Sequence, residues 1–226
     1  MSFYLRQTAL VDDGPALDAA GLIHRVRQPM TAGPHPTIVM LHGMGGSEDS
    51  TWLMGPALPR QWLVTAPRGI EAGPGGRYAW VRRVPDEWPG LAEYDEAVRG
   101  VARFAAALPS LYGADPDRTF LLGFSQGAAT SFATSIAKRD AVSGIASVVG
   151  FVPTDCGDER LLRLAELPVF MAVGRRDPLI PFEVSAVCAA TLRSVGADLE
   201  YHEYDVGHKL SSQGMRDLRG WWERQV

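Results

Sequence analysis

The centre of this chain reads Thr119-Phe120-Leu121-Leu122-Gly123-Phe124-Ser125-Gln126-Gly127, followed by the small residues Ala128-Ala129-Thr130-Ser131. The apolar run predicts a buried strand, and the small residues predict a helix that packs closely on it. Between them, Gly-x-Ser-x-Gly is typical of a nucleophile elbow, in which the serine lies at a sharp, strained turn from strand to helix. The two glycines are expected to leave room where the chain doubles back. We therefore expect Ser125 to be a nucleophile.

The rest of the chain alternates between strand-like and helix-like patterns. Apolar runs predict strands at 22–27, 37–41, 62–66, 118–122, 144–150, 168–173 and 199–205. Helical spacing of apolar residues predicts helices at 91–108, 126–138, 181–194 and 211–224. This alternation indicates an α/β fold with a mostly parallel central sheet and helices on both faces. In such sheets, functional residues gather at the carboxyl ends of the strands.

Length, composition and charge limit the class of protein. The 226 residues, 46% hydrophobic and 21% charged, form an ordinary globular mixture that fits one domain over 1–226. A net charge of −4 provides no basic field for nucleic acid or anionic membranes. The longest apolar stretch, 145–152, is too short to span a bilayer, and no signal-peptide pattern is visible, so we expect a cytoplasmic protein. Cys156 and Cys188 are expected to be free thiols.

The turn after the strand at 37–41 is rich in glycine and reads His42-Gly43-Met44-Gly45-Gly46. Backbone N–H groups in such a turn can stabilise the negative charge that develops on a carbonyl oxygen during acyl transfer. We expect the N–H of Met44 to be one donor of this oxyanion hole and the N–H of Gln126 to be the other. The alternative is an ordinary turn between a strand and a helix.

An acidic residue and a histidine follow the last two predicted strands. Asp177, held by a proline on its far side, comes after the strand at 168–173 and is placed to orient a base. Asp155 and Asp158 are competitors for that role, in a polar loop after the preceding strand. His208 follows the strand at 199–205, behind a glycine, and is the expected general base.

The other four histidines have simpler explanations. His24 and His202 lie within predicted strands, His35 lies in a Pro-His-Pro loop, and His42 is expected to shape the glycine-rich turn. A serine, an aspartate and a histidine in this chain order support nucleophilic catalysis without a metal. Metal-ligand spacings and nucleotide-binding glycine loops are missing from the sequence, so no cofactor is implied.

Four motifs follow one another along the chain: Leu41-His42-Gly43-Met44-Gly45, Gly123-Phe124-Ser125-Gln126-Gly127, Gly174-x-x-Asp177-x-x-Ile180-Pro181 and Gly207-His208. With them the chain, from about residue 36 to its end, resembles the phospholipase/carboxylesterase family of α/β-hydrolases, which includes the acyl-protein thioesterases. The resemblance implies an α/β-hydrolase fold and catalytic roles for Ser125, Asp177 and His208. It also implies that Met44 and Gln126 supply the oxyanion N–H groups. One departure is Ala128, where the family often has a second glycine.

The substrate pocket is less well defined by the sequence. The family places an aromatic loop near the acyl site, which makes Trp80, within the segment 73–83, a candidate pocket wall. Further candidates are apolar residues near the strand ends, and each of them could equally be ordinary core: Trp52, Phe151, Ile180 and Leu210. Arg82 and Arg83 could face an acidic substrate group, although adjacent arginines are usually solvated.

We therefore predict a cofactor-independent serine hydrolase of carboxylic esters with short to medium acyl groups, with thioesters as a further substrate class. A long-chain acyl-protein thioesterase or lysophospholipase is the narrower alternative. Because one fold supports many reactions, a lyase or a peroxidase built on the same triad is another alternative. A non-catalytic binding module would be expected to have a broken triad, and all three positions are intact.

Overall fold

The structure is a computed structural model that describes residues 5–82 and 88–225. Its strands, in chain order, are β1 Ala9–Val11, β2 His24–Arg27, β3 His35–Leu41, β4 Leu63–Pro67, β5 Glu71–Gly73, β6 Arg77–Ala79, β7 Ala114–Phe124, β8 Gly144–Val148, β9 Pro168–Gly174 and β10 Asp198–Tyr204. Its α-helices are α1 Gly14–Ala20, α2 Asp95–Tyr112, α3 Gln126–Ala137, α4 Asp158–Leu161, α5 Phe182–Ser194 and α6 Ser212–Glu223. Short 3₁₀ helices occur at Leu5–Gln7, Ser50–Ala57, Leu91–Tyr94, Arg139–Ala141 and Leu162–Leu164.

Eight of these strands form one sheet in the order β1-β2-β4-β3-β7-β8-β9-β10. β2 runs antiparallel to β1 and β4, whereas every neighbouring pair from β4 to β10 is parallel. β5 and β6 form a separate antiparallel hairpin. Because the carboxyl ends of parallel strands meet at one edge, the turns after β3, β7, β9 and β10 share the same side of the sheet.

The parallel strands are buried on both faces, which explains their continuous apolar sequences. In β3, Val39 and Leu41 pack into one core, and Ile38 and Met40 pack into the other. Residues of α2, α3 and α5 cover the first core, and residues of α6 and the 3₁₀ helix Ser50–Ala57 cover the second. The predicted α/β fold, with a mostly parallel sheet and helices on both faces, is confirmed.

Several element boundaries differ from the sequence-based prediction for identifiable reasons. The predicted helix at 91–108 starts as a 3₁₀ turn and continues as α2 as far as Tyr112, where Gly113 ends it with a φ of 68°. The predicted strand at 144–150 ends at Val148, because Val149 has a φ of 45° and leaves the extended conformation. The hairpin of β5 and β6 was not predicted, since three-residue strands show no measurable periodicity.

Of the helices within the described ranges, none has the length and apolarity that crossing a bilayer requires.

Candidate active site

The connection between β7 and α3 has the geometry of a nucleophile elbow. Ser125 is the single residue between them, and it adopts φ 54° and ψ −118°, a region that residues with a side chain rarely occupy. Its N–H donates to the carbonyl of Val148 at 2.9 Å, and its carbonyl accepts the N–H of Ala128 at 2.9 Å. These bonds to a neighbouring strand and to the following helix hold the serine in its strained conformation.

Both elbow glycines are required by close packing. A Cβ at Gly123 would overlap the backbone of Ala128, and a Cβ at Gly127 would overlap the carbonyl of Leu41 at the end of β3. A Cβ at Gly150 would in turn overlap the methyl group of Ala128. Ala128 therefore fits where the family often has glycine, because the residue that faces it has no side chain.

Asp177 and His208 are joined by a short hydrogen bond at the same edge of the sheet. His208 Nδ1 lies 2.7 Å from Asp177 Oδ2, and the carboxylate side chain is only 2% exposed. Asp177 Oδ1 accepts the backbone N–H groups of Leu179 and Ile180 at 2.8 and 3.0 Å. Because an ionised carboxylate can only accept, the Nδ1 of a neutral His208 carries the proton and Nε2 is left as an acceptor.

The histidine lies beside the elbow. The ring of His208 contacts the ring of Phe124, with 5.1 Å between centroids, and Phe124 directly precedes the serine. Within the described residues, no hydrogen bond joins Ser125 Oγ to His208. Such bonds are often long in unliganded enzymes and tighten when substrate binds.

The turn after β3 is fixed by the buried imidazole of His42. His42 Nε2 accepts the N–H of Gly69 at 2.8 Å, so Nδ1 carries the proton and donates to the carbonyl of Gly43 at 2.8 Å. Burial lowers the pKa of His42, and this favours the neutral imidazole that both bonds require. The hairpin adds a further support, because Gly45 donates to the carbonyl of Tyr78 at 2.8 Å.

The side chain of Gln126 ties the elbow to the segment that follows the hairpin. Its Oε1 accepts the N–H of Trp80 at 2.8 Å, and its Nε2 donates to the carbonyl of Val81 at 3.0 Å. The indole N–H of Trp80 then donates to the carbonyl of His42 at 2.8 Å. A continuous chain of bonds thus runs from the residue after the serine to the turn after β3. Within the described residues, the backbone N–H groups of Gln126 and Met44 have no acceptor.

A cleft of about 420 Å³ opens at the serine. Its described wall is mostly apolar and consists of Met44, Trp88, Pro89, Tyr94, Ser125, Gln126, Phe151, Leu179, Ile180 and Pro181. Pockets of this size with few polar groups are typical of small-molecule sites.

Comparison with known proteins assigns the chain to a family. A sequence model of the phospholipase/carboxylesterase family matches residues 93–223, more than half of the chain. The chain belongs to this family. It is 26% identical to acyl-protein thioesterase 1 of Debaryomyces hansenii over 87% of this chain and 94% of that protein. With this assignment, the chain is an esterase-type hydrolase.

Solved structures show the same fold. The carboxylesterase of Bacillus cereus superposes with a TM-score of 0.81 at 20% identity, covering 93% of this chain and 97% of its own. The carboxylesterase of Mesorhizobium loti gives a TM-score of 0.80 at 18% identity, covering 96% and 99%. The predicted α/β-hydrolase fold is confirmed by these similarities.

The structure separates the pocket candidates of this esterase into two groups. Phe151 and Ile180 line the cleft. Trp52 instead belongs to the core under α6, and Leu210 is partly buried and packs against that core. Neither lines the described cleft, so their prediction as pocket residues is corrected. Trp80 also lies outside the described wall of the cleft: it is buried, and its indole holds the carbonyl of His42.

Five wall residues of this esterase were not predicted from the sequence: Trp88, Pro89, Tyr94, Leu179 and Pro181. Leu179 and Pro181 flank Ile180, which was predicted to line the pocket, so their place in the loop after Asp177 was a signal in the sequence for them. The spacing of Tyr94 fits the apolar face of a helix, and that spacing gives no sign of a place in the cleft wall.

No hydrogen bond or ion pair joins the other described polar candidates to His208. The Arg82 side chain is 89% exposed and is 3.5 Å from the carboxylate of Glu71, whereas Arg83 lies outside the described residues. Among the described acids, Asp177 is the one bonded to His208, and Asp155 and Asp158 are not.

A second, mostly apolar cavity of about 550 Å³ adjoins the cleft and shares Trp88 and Phe151 with it. Cys156 and Cys188 are free, as predicted, and line this cavity. Burial raises the pKa of the Cys156 thiol to about 11, which keeps it protonated near neutral pH.

Replacement of Trp80 by phenylalanine tests the chain of bonds behind the turn. We expect Trp80→Phe to lower the free energy of unfolding by about 1–3 kcal/mol, because the buried carbonyl of His42 loses its indole donor. Urea unfolding measures this loss. Trp88→Phe is the matched control, since Trp88 is partly exposed and the same replacement should cost less than about 1 kcal/mol. Equal losses in the two variants would contradict the assignment.

The buried imidazole of His42 also predicts a pH dependence of stability. Because its pKa is lowered on folding from an unfolded value near 6.5, the unfolded chain binds a proton that folded His42 does not. The free energy of unfolding should therefore fall as the pH decreases below about 6.5. Buried His24 adds to this slope, since burial lowers its pKa as well. Urea unfolding at several pH values should give a shallower slope for His42→Gln than for the wild-type chain.

Proposed function

We propose that this chain is a serine hydrolase that cleaves carboxylic esters with short to medium acyl groups through an acyl-enzyme on Ser125. The observation that carries the proposal is the 2.7 Å bond between His208 and Asp177 beside a strained serine elbow. Thioesters fall within the same chemistry, and the similarity to a protein named acyl-protein thioesterase 1 supports their inclusion.

The proposed mechanism assigns one role to each of three side chains. His208 Nε2 removes the proton of Ser125 as the hydroxyl attacks the ester carbonyl, and it returns the proton to the leaving alcohol or thiol. Asp177 keeps the proton on Nδ1 and stabilises the imidazolium that forms. The two N–H bonds that Asp177 accepts support this role, because they hold the carboxylate in one orientation. Water then attacks the acyl-enzyme as His208 takes its proton; the bond between the acyl carbon and Ser125 Oγ breaks, His208 returns the proton to the serine, and the carboxylic acid is released.

The negative charge of each tetrahedral intermediate needs donors that are already in place. We assign this role to the backbone N–H groups of Met44 and Gln126. The absence of acceptors for both groups within the described residues supports the assignment, as does the hydrogen-bonded path through Trp80 that links the two segments. Donors in such positions typically contribute about 3 kcal/mol each to transition-state stabilisation.

Replacement of Ser125 by alanine tests the proposal. We expect Ser125→Ala to abolish turnover of p-nitrophenyl esters and labelling by a fluorophosphonate, since both reactions need the hydroxyl. Ser110→Ala, a change at an exposed serine on α2, is the matched control and should retain both. Turnover that persists in Ser125→Ala at the wild-type rate would refute a serine acyl-enzyme.

Hydrolysis of long acyl chains is a second candidate function, favoured by the apolar cavity that adjoins the cleft at Trp88 and Phe151. A chain-length profile of kcat/KM with p-nitrophenyl esters separates the two candidates. The leading proposal expects a maximum at short to medium chains, because the cleft itself has a volume of only about 420 Å³. A rate that rises steadily into the long-chain range would favour the second candidate instead.

A further inference from the structure

Among the buried residues of the described cleft wall, one polar side-chain atom has no hydrogen-bond partner. Of the wall residues that are buried, Phe151 and Ile180 are apolar, and both polar atoms of the Gln126 side chain are bonded to Trp80 and Val81. The remaining one is Tyr94, which lines the cleft together with Ser125. Its hydroxyl has no hydrogen-bond partner among the described residues.

Several other buried polar side-chain atoms of the described residues also lack a partner, and the Tyr94 hydroxyl is distinguished from them by belonging to the described cleft wall. Tyr94 is 0% exposed, and its hydroxyl is shielded from water, which would otherwise satisfy it. Most buried polar side-chain atoms in proteins do have a partner, because leaving one unsatisfied is costly. Burial raises the pKa of Tyr94, so the phenol stays neutral and remains a donor at any physiological pH.

We propose that Tyr94 is a substrate-binding residue whose hydroxyl donates a hydrogen bond to an oxygen of the bound acyl group. This inference rests on the proposed function and makes it narrower. The preferred substrates are esters whose acyl group carries a keto, ether or hydroxyl oxygen, rather than plain alkanoates.

Three features of the cleft favour the acyl group as the partner. Tyr94 and Ser125 line the same cavity, so a group attached to the serine lies in the space that Tyr94 borders. Apart from Tyr94, the buried side chains of the described wall offer that group no free polar atom, which leaves Tyr94 to discriminate between an oxygen and a methylene. Because the hydroxyl is shielded in this structure, the proposal requires the wall to open at Tyr94 when a substrate enters. The wall residues Trp88 and Leu179, exposed by 38% and 61%, have room to move.

Discrimination by such a group is expected to be large. A hydroxyl that is already desolvated gains a partner from an acceptor oxygen without first losing a water molecule. A plain alkyl chain leaves the hydroxyl unpaired. Sites built on this contrast reject the analogue that lacks the polar atom far more strongly than apolar pockets reject a methylene.

Unfolding measurements provide a test that does not depend on substrate. Tyr94→Phe should leave the urea midpoint unchanged or raise it, because the variant removes an unpaired hydroxyl. The matched control is Tyr112→Phe at the end of α2, since Tyr112 Oη lies 2.7 Å from His24 Nε2 and its loss should lower the midpoint. A fall for Tyr94→Phe as large as that for Tyr112→Phe would overturn the proposal, because the hydroxyl would then have a structural partner.

The decisive experiment compares two matched series of p-nitrophenyl esters. One series is plain alkanoates, and the other carries a single keto oxygen at successive carbons beyond the ester. The ratio of kcat/KM for each keto ester to its alkanoate is measured in the wild-type chain, Tyr94→Phe and Tyr112→Phe. Taking the ratio between variants cancels the intrinsic reactivity of each ester.

We expect the best keto ester to show a preference in the wild-type chain that falls at least about tenfold in Tyr94→Phe and is retained in Tyr112→Phe. A wild-type chain that hydrolyses alkanoates but shows no keto preference would overturn this inference and leave the proposed function standing. A keto preference that survives undiminished in Tyr94→Phe would likewise overturn this inference and leave the proposed function standing. Failure of the wild-type chain to hydrolyse any ester would contradict the proposed function and this inference together.

Discussion

The contact between Gly127 and the end of β3 is the constraint on which the arrangement of the site depends. Because no side chain separates them, the first turn of α3 packs directly on the carbonyl of Leu41. Two segments that are about 80 residues apart in sequence, the serine turn and the turn after β3, are therefore neighbours. The parallel pairing of β3 with β7 sets their register, and the absence of a side chain at Gly127 sets their distance.

Hydrogen bonds then convert this neighbourhood into a fixed geometry. The Gln126 side chain holds Trp80, the Trp80 indole holds the carbonyl of His42, and the His42 imidazole holds Gly43 and Gly69. Each of these polar groups is buried and paired, which is the condition under which such networks add rigidity rather than cost. The pair of Asp177 and His208 lies on the other side of the serine and is fixed separately by the backbone of its own loop.

The sequence predicted the parts of this molecule that follow from short-range rules. Buried parallel strands produce continuous apolar runs, so the sheet and the residues after its strands could be located. The pocket could not be located in the same way, because a large apolar residue looks the same in a core and in a cavity wall. Trp52 packs under α6, Phe151 lines the cleft, and nothing local distinguishes them. Tyr94 was missed because helical spacing accounts for its position, whereas its unpaired hydroxyl is visible only in three dimensions.

The contact between Ala128 and Gly150 links two positions through volume. The methyl group of Ala128 fills the space that a side chain at 150 would need, so the two residues share one small space between α3 and the end of β8. Exchange of the methyl group between the two positions would conserve that volume, whereas a second methyl group would push the helix away from the sheet. Substitutions at positions 128 and 150 are therefore expected to be correlated among related sequences, with a side chain at position 150 accepted only where position 128 is glycine.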